Sequence, residues 1–298
     1  MRGAPLACPK CHGPLNNTSN ALHCSSCRLD YPMVEGRPFF VTPHMTWSPP
    51  VPESGGWFRR HLAQPPPAGR FAGEIQNGGV TNDHRYLREF LAGFPDTAAV
   101  LDLGSGERRL RPGIVNLDIV ASPSVDVIAD GHELPFPDDV FEAVILQSVI
   151  EHVLEPERFL AESYRVLKPG GQIWVEAPFI YPIHDTSDYY RWTLSGLRYV
   201  VSKHFEVSRS GALMGPSSAL NLGWRVYVNW KLRGLHWGFR NAVAWMTAWI
   251  KWLDSDQVMP DPPEIYAHSY VLGVKPAYRN SVVNPFSGVA TGNPILQR

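Results

Sequence analysis

One stretch constrains the fold more than any other: residues 100–106, VLDLGSG, followed at 115–119 by VNLDI with Asp118 near its end. Val100, Leu101 and Leu103 read as a short buried strand. Gly104 and Gly106 read as a turn whose missing side chains let a ligand lie on the backbone. A second parallel strand then sets the Asp118 carboxylate at its tip, where acidic residues of nucleotide-binding α/β folds accept hydrogen bonds from both ribose hydroxyls. The pattern predicts an α/β fold with an adenosine-containing cofactor at the strand ends. Asp102 narrows the choice, because its charge inside the turn repels a pyrophosphate and suits a cationic amino-acid ammonium group. Only eight residues separate Gly106 from Val115, so the first crossover helix is expected to be one turn or absent. That leaves one flank of the cofactor open or covered by another segment.

The Asp-Leu-Gly-Ser-Gly run resembles the first motif of class I S-adenosylmethionine methyltransferases more than the Gly-x-Gly-x-x-Gly of dinucleotide enzymes. The resemblance extends over residues 100–207, through VDVIADGHELPFPDDVFEAVILQSVIEHV and AESYRVLKPGGQIWVEAP. It implies a Rossmann-like seven-stranded methyltransferase sheet. It also implies a cofactor set of Asp102, Gly104, Ser105, Gly106, Asp118, Ile119, Asp130, Gly131 and Gln147, with Asp130 meeting the adenine amino group. A fourth strand over 143–147 precedes Glu151 and His152; a helix and the turn 168–171 then lead into a fifth strand over 173–176.

All four cysteines fall early, as Cys8-Pro-Lys-Cys11 and Cys24-Ser-Ser-Cys27. Two Cys-x-x-Cys knuckles at this separation let four thiolates converge on a tetrahedral structural Zn²⁺, and the rival reading, two disulfides, needs an oxidising compartment and a secretion signal. The region is similar to the small zinc-ribbon family found alone as a methyltransferase activator, in which the tail carrying Tyr31, Pro32, Gly36 and Pro38 closes the ribbon. His12 and His23 are expected to be exposed neighbours. A unit this short needs its metal for stability.

The expected organisation is a zinc ribbon at 1–42, a Pro/Gly-rich linker or strap at 43–80, the methyltransferase domain at 81–278 and a loose tail at 279–298. Trp47, Trp57, Phe58 and Phe71 favour a strap, and either it or a following helix at 82–91 is expected to cover the cofactor flank. After strand five, residues 177–193 gather His184, Asp185, Asp188, Tyr189, Tyr190, Arg191 and Trp192 in one loop. Ligands of open α/β sheets bind at such strand ends. His184 is the first candidate for general base, with His152 either a second or a pocket-lining residue. Tyr190 and Trp192 form a candidate aromatic wall. Arg191 either holds an anionic acceptor or staples the loop through Asp185 or Asp188.

A hairpin of strands six and seven, 204–209 and 267–275, is interrupted by a helical insertion at 217–253 that holds six of the ten tryptophans. Trp245, Trp249 and Trp252 recur at helical spacing among Arg225, Lys231, Arg233, Arg240 and Lys251. This segment reads as a lid or dimer contact, or as a helix at a membrane surface whose acceptor is lipid-linked. The net charge of −1 makes nucleic acid the weaker partner. No leader or spanning run is apparent, so the expected location is cytoplasmic or peripheral on the inner membrane face. The sequence therefore predicts methyl transfer from S-adenosylmethionine to a small-molecule or lipid-linked acceptor, most readily at oxygen. An RNA methyltransferase using its ribbon for substrate, or a non-catalytic zinc-ribbon scaffold, are the alternatives.

Overall fold

A computed structural model describes residues 4–41, 85–184, 187–232, 234–235, 238–239, 242–243, 246–254 and 264–277. The segments at 43–80 and 279–298, and Asp185, Arg233, Arg240 and Trp245, lie outside the described residues.

Strands β1 (Asn16–Asn17), β2 (Ala21–Cys24), β3 (Leu29–Val34) and β4 (Arg37–Pro38) make a small antiparallel sheet in chain order. Each cysteine knuckle closes in the same way, with His12 N–H donating to the Cys8 carbonyl at 2.7 Å and Arg28 N–H to the Cys24 carbonyl at 2.8 Å. Both His12 and Arg28 sit in the left-handed region, at φ 56°. The repeated turn folds each Cys-x-x-Cys loop back on itself.

The ribbon does not stand apart from the rest of the chain. Phe39 bridges in parallel to Ile128, Phe40 N–H donates to the Ile128 carbonyl at 2.8 Å, and Ala7 N–H donates to the Pro135 carbonyl at 3.0 Å. Tyr31 and Phe40, whose ring centroids lie 4.9 Å apart, belong to the same buried cluster as Leu134, Phe136 and Phe141 of the larger domain. The ribbon thereby covers an edge strand that would otherwise present unpaired backbone groups.

The main sheet has seven strands: β5 (Val100–Leu103), β6 (Val115–Asp118), β7 (Val127–Ile128), β8 (Phe141–Gln147), β9 (Leu167–Pro178), β10 (Glu206–Met214) and β11 (His268–Val274). Their order is β10-β11-β9-β8-β5-β6-β7, with β5 to β9 parallel and β11 antiparallel to both its neighbours. Strand order reverses between β5 and β8, so their carboxyl ends flank a crevice of the kind that binds ligands. Among the described residues the α-helices are α1 (Arg85–Ala92), α2 (Pro156–Val166), α3 (Leu194–Ser202) and α4 (Pro216–Lys231), and a 3₁₀ turn, Ile150–His152, follows β8. Strand β10 runs further than expected, because its register with β11 continues through Met214. The β9 strand begins earlier than expected, for Gly170 N–H still finds the Lys275 carbonyl at 2.8 Å.

No helix forms between β5 and β6, as the short spacing predicts. Arginines organise this crossover instead. Arg109 donates to the Ile114 carbonyl at 3.1 Å and the Ser124 carbonyl at 2.6 Å, while Arg111 donates to the carbonyls of Leu91, Phe94 and Pro95 at 3.0–3.1 Å. The helix expected to cover the cofactor flank does something else. Leu87 and Leu91 of α1 pack on Val100, Ile145, Trp174 and Tyr270, on a face of the sheet, and α1 contributes nothing to the crevice lining.

The insertion between β10 and β11 is α4 followed, in its described part, by a 3₁₀ turn, Ala248–Leu253. Trp245 lies outside the described residues, and in the 3₁₀ turn Trp249 is 55% exposed beside Met246 and Leu253, which are exposed too. A further exposed apolar row lies on α4, where Leu220, Trp224, Tyr227 and Trp230 are 38–64% exposed. Asp254 closes the insertion by accepting from Ser217 N–H at 2.9 Å and Ser218 N–H at 2.7 Å, which satisfies orphan donors at the start of α4. Among the described residues no helix is long and apolar enough to cross a membrane.

Candidate active site and metal centre

At the carboxyl ends of β5, β6 and β8 lies a cleft of about 270 Å³ lined by Gly104, Asp118, Ile119, Asp130, Gly131, His152 and others. Gly104 and Gly106 adopt φ +76° and +58°, and a Cβ on Gly104 would come within 2.5 Å of Val149 Cγ2. The turn therefore needs glycine for its conformation and for the close approach of Val149. Gly131 is equally constrained, because an added Cβ would lie 2.2 Å from the Phe159 ring.

Asp118 is held from both sides: its Oδ2 accepts from Gly106 N–H at 2.8 Å and its Oδ1 from Val120 N–H at 2.8 Å. Asp130 is buried, and one oxygen, Oδ1, takes both His132 N–H at 2.9 Å and His132 Nδ1 at 2.6 Å. Burial pushes its carboxyl up, but the His132 bonds outweigh this and hold it below the usual carboxylate range. None of these bonds uses Oδ2.

Asp102, Ser105, Gly106 and Gln147 do not line the cleft. Asp102 is fully buried and already carries a cation, with Arg108 Nη2 at 2.8 Å and Nε at 3.2 Å from its two oxygens. Burial pushes the Asp102 carboxyl up against the pull of that guanidinium. Arg108 Nη1 also reaches the Gln147 carbonyl at 3.4 Å, so one side chain ties the ends of β5 and β8 together. The Gln147 amide turns away to Glu176 Oε2, at 3.3 Å.

Beside the cleft, the structure brings His152 and His184 into contact. Their Nε2 atoms are 3.1 Å apart and their rings meet edge to face, with centroids at 4.8 Å. Glu151, which has no exposed surface, places Oε1 at 3.7 Å from His152 Nε2 and 3.9 Å from His184 Nε2. Burial, its largest influence, pushes the Glu151 carboxyl up to about 8. Burial also lowers His184, with His152 adding to the effect and Asp188 opposing it. The loop carrying His184 is pinned by Tyr189 N–H and Tyr190 N–H, which donate to the Glu151 carbonyl at 2.8 and 3.2 Å.

Arg191 is a staple. It pairs bidentately with Asp188 and donates to the carbonyls of Tyr181, Pro182 and Tyr190 at 3.1, 3.0 and 2.8 Å. Tyr190 lies 5.4 Å from Trp192, centroid to centroid, and its hydroxyl donates to the Leu154 carbonyl at 3.1 Å, away from the histidine pair. Sequence reasoning did not assign a role to Glu151, although its place beside His152 directly after strand four was the available signal. It had none for the Glu176–His268 pair, 3.5 Å apart, because nothing local links those positions.

In the ribbon, Cys8, Cys11, Cys24 and Cys27 present sulfurs that all lie within 4.8 Å of one another. The Cys11–Cys24 separation of 3.6 Å is close to the ~3.8 Å edge of a tetrahedron with 2.3 Å zinc–sulfur bonds. Cys27 N–H approaches Cys24 Sγ at 3.4 Å, and Tyr31 hydrogen-bonds Cys8 Sγ at 3.2 Å. Four converging thiols fit a closed structural zinc site. His12 is exposed and His23 pairs with Asp30 at 2.7 Å, so neither joins the set.

Comparison with known proteins agrees with this architecture. Residues 102–175 match the family model described as "Methyltransferase domain", and residues 6–36 match "Trm112p-like protein". The chain thus resembles an S-adenosylmethionine-dependent methyltransferase domain over residues 102–175 and a Trm112p-like zinc ribbon over residues 6–36. It is 35% identical over 92 residues to the ubiquinone/menaquinone biosynthesis C-methyltransferase UbiE of Psychromonas ingrahamii, covering 30% of this chain and 35% of that protein. It is 46% identical over 61 residues to the demethylmenaquinone methyltransferase of Renibacterium salmoninarum, covering 20% and 25%. The chain therefore spans about a third of the length of the first of these relatives. Among solved structures, the complex between the Haloferax volcanii Trm112 methyltransferase activator and its methyltransferase matches at TM-score 0.41 and 17% identity, over 74% of this chain and 98% of that one.

Proposed function

We propose that this chain transfers the methyl group of S-adenosylmethionine to a small hydroxylated acceptor, at oxygen. The observation that supports this reading is the Glu151–His152–His184 cluster at the mouth of the cleft, with His152 part of both. The cofactor supplies an electrophilic methyl on a sulfonium. Asp118, oriented by Gly106 and Val120, takes the ribose hydroxyls, and the free oxygen of Asp130 takes the adenine amino group. Gly104, Ile119 and Gly131 give close contact along the cleft wall, and Ser105 and Gly106 complete the turn. Asp102 acts through Arg108, which it fixes across the strand ends together with the Gln147 carbonyl. The cluster favours ionisation of the acceptor hydroxyl, which makes the oxygen nucleophilic for in-line attack.

A test is to incubate zinc-loaded protein with methyl-labelled S-adenosylmethionine and a panel of phenols, catechols, quinols, hydroxy acids and structured RNA. Label in a methoxy product is the expected result. Label only in RNA, or none with any acceptor and no cofactor binding, would overturn the reading. The named C-methyltransferase relatives support a second outcome, because an ionised phenol is also nucleophilic at its ortho carbon. Product NMR separates the two.

The exposed stripe Leu220, Trp224, Tyr227 and Trp230 supports peripheral contact with a membrane surface carrying a lipid-linked acceptor. The protein is expected to co-sediment with anionic vesicles. Replacing Trp224, Tyr227 and Trp230 with serine should weaken this at least ~10-fold, given ~1.5 kcal/mol or more for each large apolar side chain buried. Equal sedimentation of the variant, or a stable dimer that occludes the stripe, would count against it.

A further inference from the structure

We propose that Glu151, His152 and His184 form a divalent transition-metal site, separate from the ribbon zinc, that binds the oxygen of the acceptor. This rests on the functional reading above and specifies how the cluster would serve it. The argument starts from hydrogen-bond direction. His152 Nδ1 faces the Ser187 carbonyl at 3.0 Å, while His184 Nδ1 faces the Pro182 carbonyl at 3.3 Å and Asp188 Oδ2 at 3.1 Å. Each Nδ1 meets only acceptors, so each carries the ring proton, and both Nε2 atoms present lone pairs.

The two Nε2 atoms lie 3.1 Å apart, with Glu151 Oε1 3.7 and 3.9 Å away. Both Glu151 oxygens are buried and have no hydrogen-bond partner among the described residues. Two imidazole lone pairs and a buried carboxyl that no neighbouring group hydrogen-bonds thus converge on one point, and the only proton there is the carboxyl's own, which a bound cation would displace. Such an arrangement is costly unless a cation occupies it. The spacing suits one: two nitrogens each ~2.1 Å from a shared ion lie about 3.0–3.4 Å apart for cis-octahedral to tetrahedral angles. The carboxylate needs only a shift of less than ~1 Å to reach the same ion.

Each imidazole is held on its far nitrogen by an acceptor, as metal-binding histidines usually are. Asp188, without exposed side-chain surface, sits on His184 Nδ1 and is itself fixed by Arg191, and a backbone carbonyl sits on His152 Nδ1. Two imidazoles and one carboxylate favour Zn²⁺, Mn²⁺ or Fe²⁺ over Mg²⁺, and three protein ligands leave positions open. His152 also lines the cleft, so an ion held here would border the space where methyl transfer is proposed. The acceptor hydroxyl would bind there and lose its proton to water. Its oxygen forms the new C–O bond as the C–S bond breaks, and that electron pair stays on sulfur as the thioether of S-adenosylhomocysteine. On this inference His184 is a metal ligand rather than the general base.

The test titrates Mn²⁺ into full-length protein whose ribbon is already loaded with one zinc, without acceptor or cofactor, and follows free Mn²⁺ by electron paramagnetic resonance. One Mn²⁺ per chain is expected, weakened more than about 100-fold in His184→Ala and Glu151→Gln, with zinc content unchanged. His184 lies on a loop, so its variant keeps the experiment decisive if Glu151→Gln fails to fold. No Mn²⁺ or second Zn²⁺ bound by the wild type, or binding unchanged in His184→Ala, overturns the site. Calorimetry with S-adenosylmethionine on the same samples separates the two ideas: cofactor binding without metal binding removes only the metal site, and metal binding without cofactor binding removes only the methyl-transfer reading.

Discussion

Replacing Asp118 with alanine is expected to weaken S-adenosylmethionine and S-adenosylhomocysteine binding by roughly two orders of magnitude. Hydrogen bonds to a charged group contribute ~1.5–3 kcal/mol each, and a ribose offers two, so the loss is ~3 kcal/mol or more. Every 1.4 kcal/mol is about tenfold in affinity. The effect should be large because the carboxylate is pre-oriented by Gly106 and Val120 N–H groups and does not have to be ordered on binding. Alanine also frees the Gly106 end of the turn. Asp118→Asn, which keeps one acceptor oxygen, should retain an intermediate affinity. Calorimetric titration of both variants beside the wild type checks this, with thermal melting to show that folding survives. Affinity unchanged in Asp118→Ala would remove the residue from the cofactor site.

The second large effect is expected from the ribbon, although none of its residues lines the cleft. Chelating the zinc, or changing Cys24 to serine, should lower the melting temperature and also weaken cofactor binding at least ~10-fold. A structural zinc site contributes ~10–16 kcal/mol of apparent binding energy to folding in small zinc domains. Here that energy is coupled onward. Phe40 pairs with Ile128 of β7, and Ala7 holds the Pro135 carbonyl, so the ribbon braces both ends of the loop that carries Asp130, Gly131 and His132. Losing the ribbon exposes Phe136 and Leu134 and loosens that loop. The measurement is cofactor affinity and melting temperature with and without zinc. An unaltered affinity after complete zinc removal would show that the ribbon folds and acts independently of the cleft.

Some elements were legible in the chain and others were not, for reasons that differ by residue. The buried run ending at Leu103, the glycines at 104 and 106 and the absent crossover helix follow from local chemistry: a run of apolar residues, a positive φ, a count of intervening residues. The four-cysteine set follows likewise from two knuckles of fixed length. The Trp245, Trp249 and Trp252 spacing falls partly outside the described residues, while the exposed apolar row on α4, which ends at Lys231, carries no tryptophan of that set. The α1 helix packs beside Leu110 and Ile114 of the crossover without lining the cleft, which the sequence did not settle, because an amphipathic pattern says that a face is buried, not what buries it.

The sequence by itself determined the strand–turn–strand frame, the acidic residues at its strand ends and the cysteine cluster, because spacing along the chain sets each of them. Tertiary structure decided that Asp102 meets Arg108 before any ligand, and that Arg191 closes a loop instead of facing an acceptor. It also decided that the ribbon continues the core of the larger domain, and that His184 meets His152 and a buried Glu151. Those outcomes depend on which strand ends the crossovers bring side by side and on which charges burial leaves unpaired. Neither is a property of any local run of residues.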